Sequence, residues 1–296
     1  GVAAVATRLW RCDAAMLREA LGIAEYHGPR SQMMRCIDFP TMVKDGSGWG
    51  AMCGLSAAYL AADGFTGAPA LVVESEKVAH LWADLGQRWR MLEMYFKPYP
   101  ICRWAQPTVE AALSLRRAHA VDPAAIETIE VESFHEAIRL DQRRPANTEQ
   151  AQYSLPFPVA AAVARGRLAA TDISGDALTD HEILRLSDRI RLIDAPDLSA
   201  RFPAERYARV RFRMGDGRVL ESETLPARGD AERPLSDEEI LSKFHDLADG
   251  PLGRAAADAL HTAIVALPEQ RDVRHLLDQL LSAPGRQAAA NVAASA

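Results

Sequence analysis

The chain has 296 residues, 48% of them hydrophobic, which is enough for two compact domains with a sizeable buried core. A net charge of -6 and a pI near 5.8 exclude the clustered basic excess that a phosphate backbone demands, so no nucleic-acid partner is expected. The longest apolar stretch, Ala51 to Ala62, is far shorter than the roughly 20 residues of a membrane-spanning helix, so no membrane partner is expected either.

Cys12, Cys36, Cys53 and Cys102 lack the paired spacing of zinc or iron–sulfur ligands and read as free thiols of a reducing, cytoplasmic protein. No two of the eight histidines lie at helical i,i+4 spacing beside an acid, so no metal site is expected. The opening Gly-Val-Ala-Ala-Val-Ala has no basic start and soon meets Arg8 and Arg11, unlike a signal peptide. Gly1 in place of Met implies a start inside a longer translation product, or processing.

In chain order, residues 2 to 62 predict closely packed helices. Ala14, Leu17, Ala20 and Leu21 recur at helical spacing around Arg18 and Glu19. A helix from Gly50 to Ala62 presents Ala51, Gly54, Ala57, Ala58 and Ala61, small enough for neighbouring backbones to approach, and Gly64 supplies its stop. The prolines of Lys97-Pro98-Tyr99-Pro100 block helix continuation and mark a boundary near residue 96. Beyond it come a helix from Pro107 to His119 and strands at Ile129–Glu132 and Ile190–Ile193. A hairpin follows, with Ala208–Met214 and Val219–Leu225 joined by Gly215-Asp216-Gly217. Its arginines on one strand face Glu221 and Glu223 on the other. Ser236 and Glu239 have capping-box spacing at the return to helix, and the Ala-, Gln- and Ser-rich end predicts a disordered tail. The expected class is α+β: an all-helical domain from two separated stretches, 1–95 and 233–284, a smaller α+β lid at 96–232, and a tail at 285–296.

Gly46-Ser47-Gly48-Trp49-Gly50-Ala51 formally fits a dinucleotide fingerprint, but no buried strand precedes it and no strand-ending acid follows. What survives is a glycine-rich turn, centred on Gly48, opening a helix whose free N–H groups can hold a carboxylate, with Lys44 just before it. A flexible loop with a solvated lysine fits the same residues. Lys97, fixed by its prolines, can bind a carboxylate or move a proton if its pKa is lowered; Arg103 can fork onto a carboxylate or close a structural ion pair. His27 is the best local imidazole, although a lone imidazole defines no mechanism and a structural histidine fits there too. Together these residues describe a cationic cleft suited to a small polycarboxylate.

Four segments in register carry a resemblance. They are Gly64-Phe65-Thr66-Gly67, Lys97-Pro98-Tyr99-Pro100-Ile101-Cys102-Arg103, the Thr148–Phe157 run, and Pro234–Ile240 with Lys243-Phe244. Over nearly the whole chain the sequence resembles the MmgE/PrpD family, which includes 2-methylcitrate dehydratase. The resemblance implies a helical domain and an α+β lid with the active site between them, usually in a homodimer, without metal or organic cofactor. It implies a lyase that dehydrates a 2-methylcitrate-like polycarboxylate by removing the proton α to a carboxylate. Isomerisation, epimerisation and decarboxylation remain alternatives, as does a non-catalytic subunit. It makes Lys97 a site lysine and Lys44 the second; with His27 these are the expected catalytic residues, and Arg103, Cys102 and Gly48 the expected substrate contacts. Some relatives have histidine where this chain has Cys102 and tyrosine where it has Phe157, so their chemistry is not carried over residue for residue. The family's Asp- and His-bearing segment lies upstream of residue 1, so the chain is expected to be a C-terminal portion that associates with an N-terminal subunit or with itself.

Overall fold

The computed structural model describes residues 1–282; the tail expected at 285–296 lies outside the described residues. Two compact units divide between Met94 and Tyr95.

The first unit is helical, and no strand occurs among its residues: α1 (Val2–Leu9), α2 (Ala14–His27), α3 (Met33–Asp38), α4 (Ser47–Ala62) and the short α5 (Leu71–Glu74). Its core is small-residue packing. Ala3, Ala20, Ile23, Ala57 and Ala61 close on one another where α1 and α2 pack on α4. A Cβ on Gly54 would stand 3.0 Å from the Ala3 nitrogen, so the expected close approach is real. Helix α4 begins at Ser47, three residues before the expected Gly50. Gly46 caps it without a side-chain bond, and tertiary packing carries glycines that cost about 1 kcal/mol each in a helix interior. The end of α4 is a Schellman arrangement: Gly64, at φ +86, donates to Ala61 O and Phe65 donates to Leu60 O. Met52, Leu55 and Tyr59 of α4 remain exposed, with Trp10 against Tyr59 at 4.7 Å between ring centroids.

The second unit, from Tyr95 onward, is α+β. In order come α6 (Gln106–Ala118), β1 (Ile126–Ser133), α7 (His135–Ile138), α8 (Thr148–Gln152), α9 (Pro156–Arg165), α10 (His181–Asp188), β2 (Ile190–Asp194) and α11 (Pro196–Ser199). Then follow β3 (Tyr207–Met214), β4 (Val219–Glu221), β5 (Leu225–Pro226), α12 (Asp237–Leu252), α13 (Arg254–Val265) and α14 (Arg274–Ser282). The sheet runs β2-β1-β3-β4, with β5 also on β3; β1 and β2 are parallel and the other pairs antiparallel. Strand β3 alternates as its sequence dictates: Ala208, Val210, Phe212 and Met214 are buried while Arg209, Arg211 and Arg213 face out. Helix α6 packs on β3, α9 on β2 and α10 on β1.

The hairpin departs from expectation in two ways. Its return strand breaks after Glu221, because the Ser222 hydroxyl accepts the Val210 N–H at 2.9 Å and donates to Glu223 O. The arginines find their acids mainly on β1: Arg213 and Arg211 both reach Glu130, and Arg209 reaches Glu132. Only Glu221 of the two expected partners pairs, with Arg211 at 2.9 Å. The capping box at α12 forms as read, Ser236 Oγ accepting from Glu239 N and Glu239 from Ser236 N. No helix is long and apolar enough to cross a membrane among the described residues.

Candidate active site

The segment that opens the second unit is pinned before it reaches Lys97. Phe96 N donates to Gly229 O at 3.0 Å, and Gly229, at φ +92, lies so close that a Cβ would fall 1.9 Å from Phe96 O. Only glycine tolerates both the conformation and the approach. From there Lys97-Pro98-Tyr99-Pro100-Ile101 folds back on itself. The half-buried Lys97 Nζ donates to Ile101 O at 3.3 Å, and the buried Gln106 amide donates to Tyr99 O and Ile101 O at 2.8 and 3.2 Å.

Lys243 of α12 reaches the same corner and donates to the Lys97 carbonyl oxygen. Burial, and then the charge of Lys97, hold the Lys243 ammonium below the usual lysine pKa. Neither ammonium closes an ion pair with a carboxylate among the described residues. The chain has four lysines against 30 arginines, and the only two in the second unit meet here. Lys243 also lines a cavity of about 480 Å3 with Tyr99, Arg117, Arg228, Glu239 and Asp246.

Under that cavity, Glu110 of α6 is buried and accepts the Tyr99 hydroxyl at 2.7 Å. Arg228 pairs with Glu110 at 3.1 Å and with Glu239 at 2.7 Å, tying α6 to α12. Burial first, and then Glu110, push the Tyr99 hydroxyl well above its usual pKa, so it stays protonated as a donor.

Arg103 points elsewhere. Its guanidinium pairs with Asp230, stacks 4.3 Å from the Tyr95 ring centroid, and lines a separate cavity of about 310 Å3 with Asp230, Arg206 and Arg233. Of the two roles open to it, the structural ion pair is the one formed. Cys102 is half-buried and in no disulfide among the described residues, and its backbone N–H donates to Gln152 O at 2.9 Å.

The other three expected site residues belong to the first unit. Lys44 is exposed and lines a cavity of about 430 Å3. Gly48 sits in the first turn of α4 with nothing within 4 Å of where a Cβ would be, so space does not require glycine there. His27 ends α2, exposed, with Tyr26 edge-on at 5.1 Å.

With this geometry in view, the family model for the MmgE/PrpD C-terminal domain matches residues 99–268. The chain belongs to the MmgE/PrpD family. Comparison with curated proteins returns no match. The matched stretch contains the whole sheet, Tyr99, Arg103, Glu110, Arg228 and Lys243, and membership of the MmgE/PrpD family suggests chemistry of the dehydratase type.

Two parts of this candidate site escape a reading of the sequence. Lys243 lies 146 residues from Lys97, and its signal was the scarcity of lysine together with its place beside Phe244 in a recognisable segment. Glu110 carried no signal, since an acid in an amphipathic helix ordinarily faces water.

Proposed function

We propose that this chain is a hydro-lyase of the MmgE/PrpD type that acts on a 2-methylcitrate-like polycarboxylate, with Lys97 as its principal carboxylate-binding residue. The observation that carries this reading is the meeting of Lys97 and Lys243 without a neutralising carboxylate. Two half-buried like charges repel, and an anionic ligand is what relieves them. Removing a proton α to a carboxylate moves charge onto that carboxylate's oxygens, and ammonium groups already fixed beside them stabilise the change without reorganising. Lys97 is held by backbone on both sides, so its charge is pre-positioned; Lys243 holds the Lys97 carbonyl and adds a second charge. Lys44 of the first unit is proposed to bind another carboxylate. The exposed apolar residues of α4 support association with a further chain, whether a second copy or an N-terminal subunit.

Replacing Lys97 by Met is expected to weaken binding of citrate or 2-methylcitrate by about 1.5–3 kcal/mol, the scale of a charge-assisted hydrogen bond. Calorimetry on the folded variant measures it, and unchanged affinity overturns the assignment. Product analysis with 2-methylcitrate reads loss of water directly, and release of carbon dioxide or inversion alone would replace dehydration by one of its alternatives.

A further inference from the structure

The cavity that Lys44 lines lies wholly within the first unit, between residues 30 and 45. Besides Lys44 its wall holds Arg30, Arg35, Ser31, Phe39 and a single acid, Asp45. Arg35, on the exposed side of α3, makes no side-chain hydrogen bond and no ion pair among the described residues. Arg30 donates to Gly28 O, at 2.9 Å, and meets no carboxylate among the described residues. Arg8 and Arg11 of the same unit also make no ion pair among the described residues, but neither lines this cavity. Arg18 of the same unit pairs with Glu74 at 2.9 Å, and the β3 arginines of the second unit all pair with acids. Arg30 and Arg35, neither with a carboxylate partner among the described residues, stand around one concavity whose wall carries a single acid, Asp45. A guanidinium fork matches the two oxygens of a carboxylate as a point charge does not.

We propose that this hollow is a carboxylate-binding site of the first unit, with Arg35 as its fork and Arg30 as a second cation, and that neither arginine is a scaffold residue. The identity of the ligand rests on the polycarboxylate substrate proposed above; the site itself rests on the cavity and its unpaired guanidiniums. Phe39 on the wall suits the carbon skeleton of such an acid, and Asp45 disfavours a carboxylate placed on its side.

The test is arginine footprinting of the full chain with phenylglyoxal, read by peptide mass spectrometry, with citrate as the probe and inorganic phosphate as the comparison. Citrate is expected to slow modification of Arg35 and Arg30 about fivefold or more while Arg8, exposed on α1, reacts at its usual rate. Arg35→Gln is expected to weaken citrate binding about tenfold, with Arg35→Lys recovering part of the loss because it returns the charge without the fork. Equal labelling with and without citrate overturns the site, and protection by phosphate at least equal to that by citrate overturns the carboxylate assignment. Protection of Arg35 that persists while Lys97→Met leaves affinity unchanged sinks the role of Lys97 and keeps this site. A Lys97 effect without protection of Arg35 does the reverse.

Discussion

The arginines of β3 and the lysines at the Lys97 corner carry the same charge within one unit of the fold, yet they are used in opposite ways. Arg209, Arg211 and Arg213 each end on carboxylates, sharing Glu130 and Glu132 of β1, with Asp197 and Glu221 at the margins. Lys97 and Lys243 end on backbone carbonyls, with each other's charge nearby and no acid in ion-pair contact among the described residues. A paired ladder spends its charge on holding strands in register. A pair of cations left on carbonyl oxygens keeps its charge for something that arrives, and that difference is what supports the proposal of a carboxylate site at Lys97 rather than on β3.

The largest effect is expected where the site leans on the backbone. Gly229→Ala puts a Cβ 1.9 Å from Phe96 O at a residue with φ +92, and the neighbour is main chain, which cannot swing aside. We expect a loss of about 2–4 kcal/mol in stability, with weakened citrate binding in whatever remains folded because the Lys97 segment must shift. Thermal denaturation measures the first and calorimetry the second. A variant of native stability would show that the approach of these two strands of chain does not fix Lys97.

Much of the framework was legible because local rules and tertiary outcome agree. The alternation of Ala208 to Met214, the Ser236 capping box and the Gly64 stop are each read from a few adjacent residues, and each forms as read. What stayed hidden is what long-range closure decides. Nothing within Val219–Leu225 says that Ser222 will replace a ladder carbonyl, nor that arginines beside Glu221 and Glu223 will prefer acids some eighty residues earlier on β1. Of the proposed site, Lys97 is singled out in the sequence by its prolines. Lys243 is not, because the contact that gives it meaning joins α12 to the loop before α6.

A smaller effect is expected from the ladder itself. Glu130 is buried and takes Arg213 and Arg211 together, and their guanidiniums, Arg213 first, hold its carboxyl below the usual carboxylate range. A depressed folded pKa means that this stabilisation is fully present above the unfolded value near 4.5 and is lost as pH falls through the lower folded value. Glu130→Gln should therefore cost about 1.5–3 kcal/mol at neutral pH and flatten the acid limb of the stability curve below about pH 4.5, with citrate affinity unchanged. Urea denaturation across pH checks this. An unchanged acid limb would mean that the acid sensitivity of the fold comes from other carboxylates, and lost citrate affinity would join the ladder to the site.

The smallest effect is the most specific to unpaired charge. Burial, followed by the Lys97 ammonium, lowers the Lys243 pKa from the ordinary 10.5, so in the free protein Lys243 begins to lose its proton earlier than a solvated lysine does. A dicarboxylate bound at the corner brings opposite charge to both ammoniums and must raise that pKa again. Between the free and bound values, binding therefore takes up protons, and affinity falls as pH rises through the free value. In alkaline buffers of different ionisation enthalpy, the calorimetric enthalpy of citrate binding should vary with a slope of about a few tenths of a proton. The slope from this residue should shrink as pH is lowered and Lys243 becomes charged in both states. Lys243→Arg separates charge from titration, because a guanidinium keeps its proton throughout the range. That variant should still bind citrate and should lose the alkaline slope. If the slope persists in Lys243→Arg, the proton is taken up elsewhere, and the corner at Lys97 is no more poised for an anion than the paired ladder on β3.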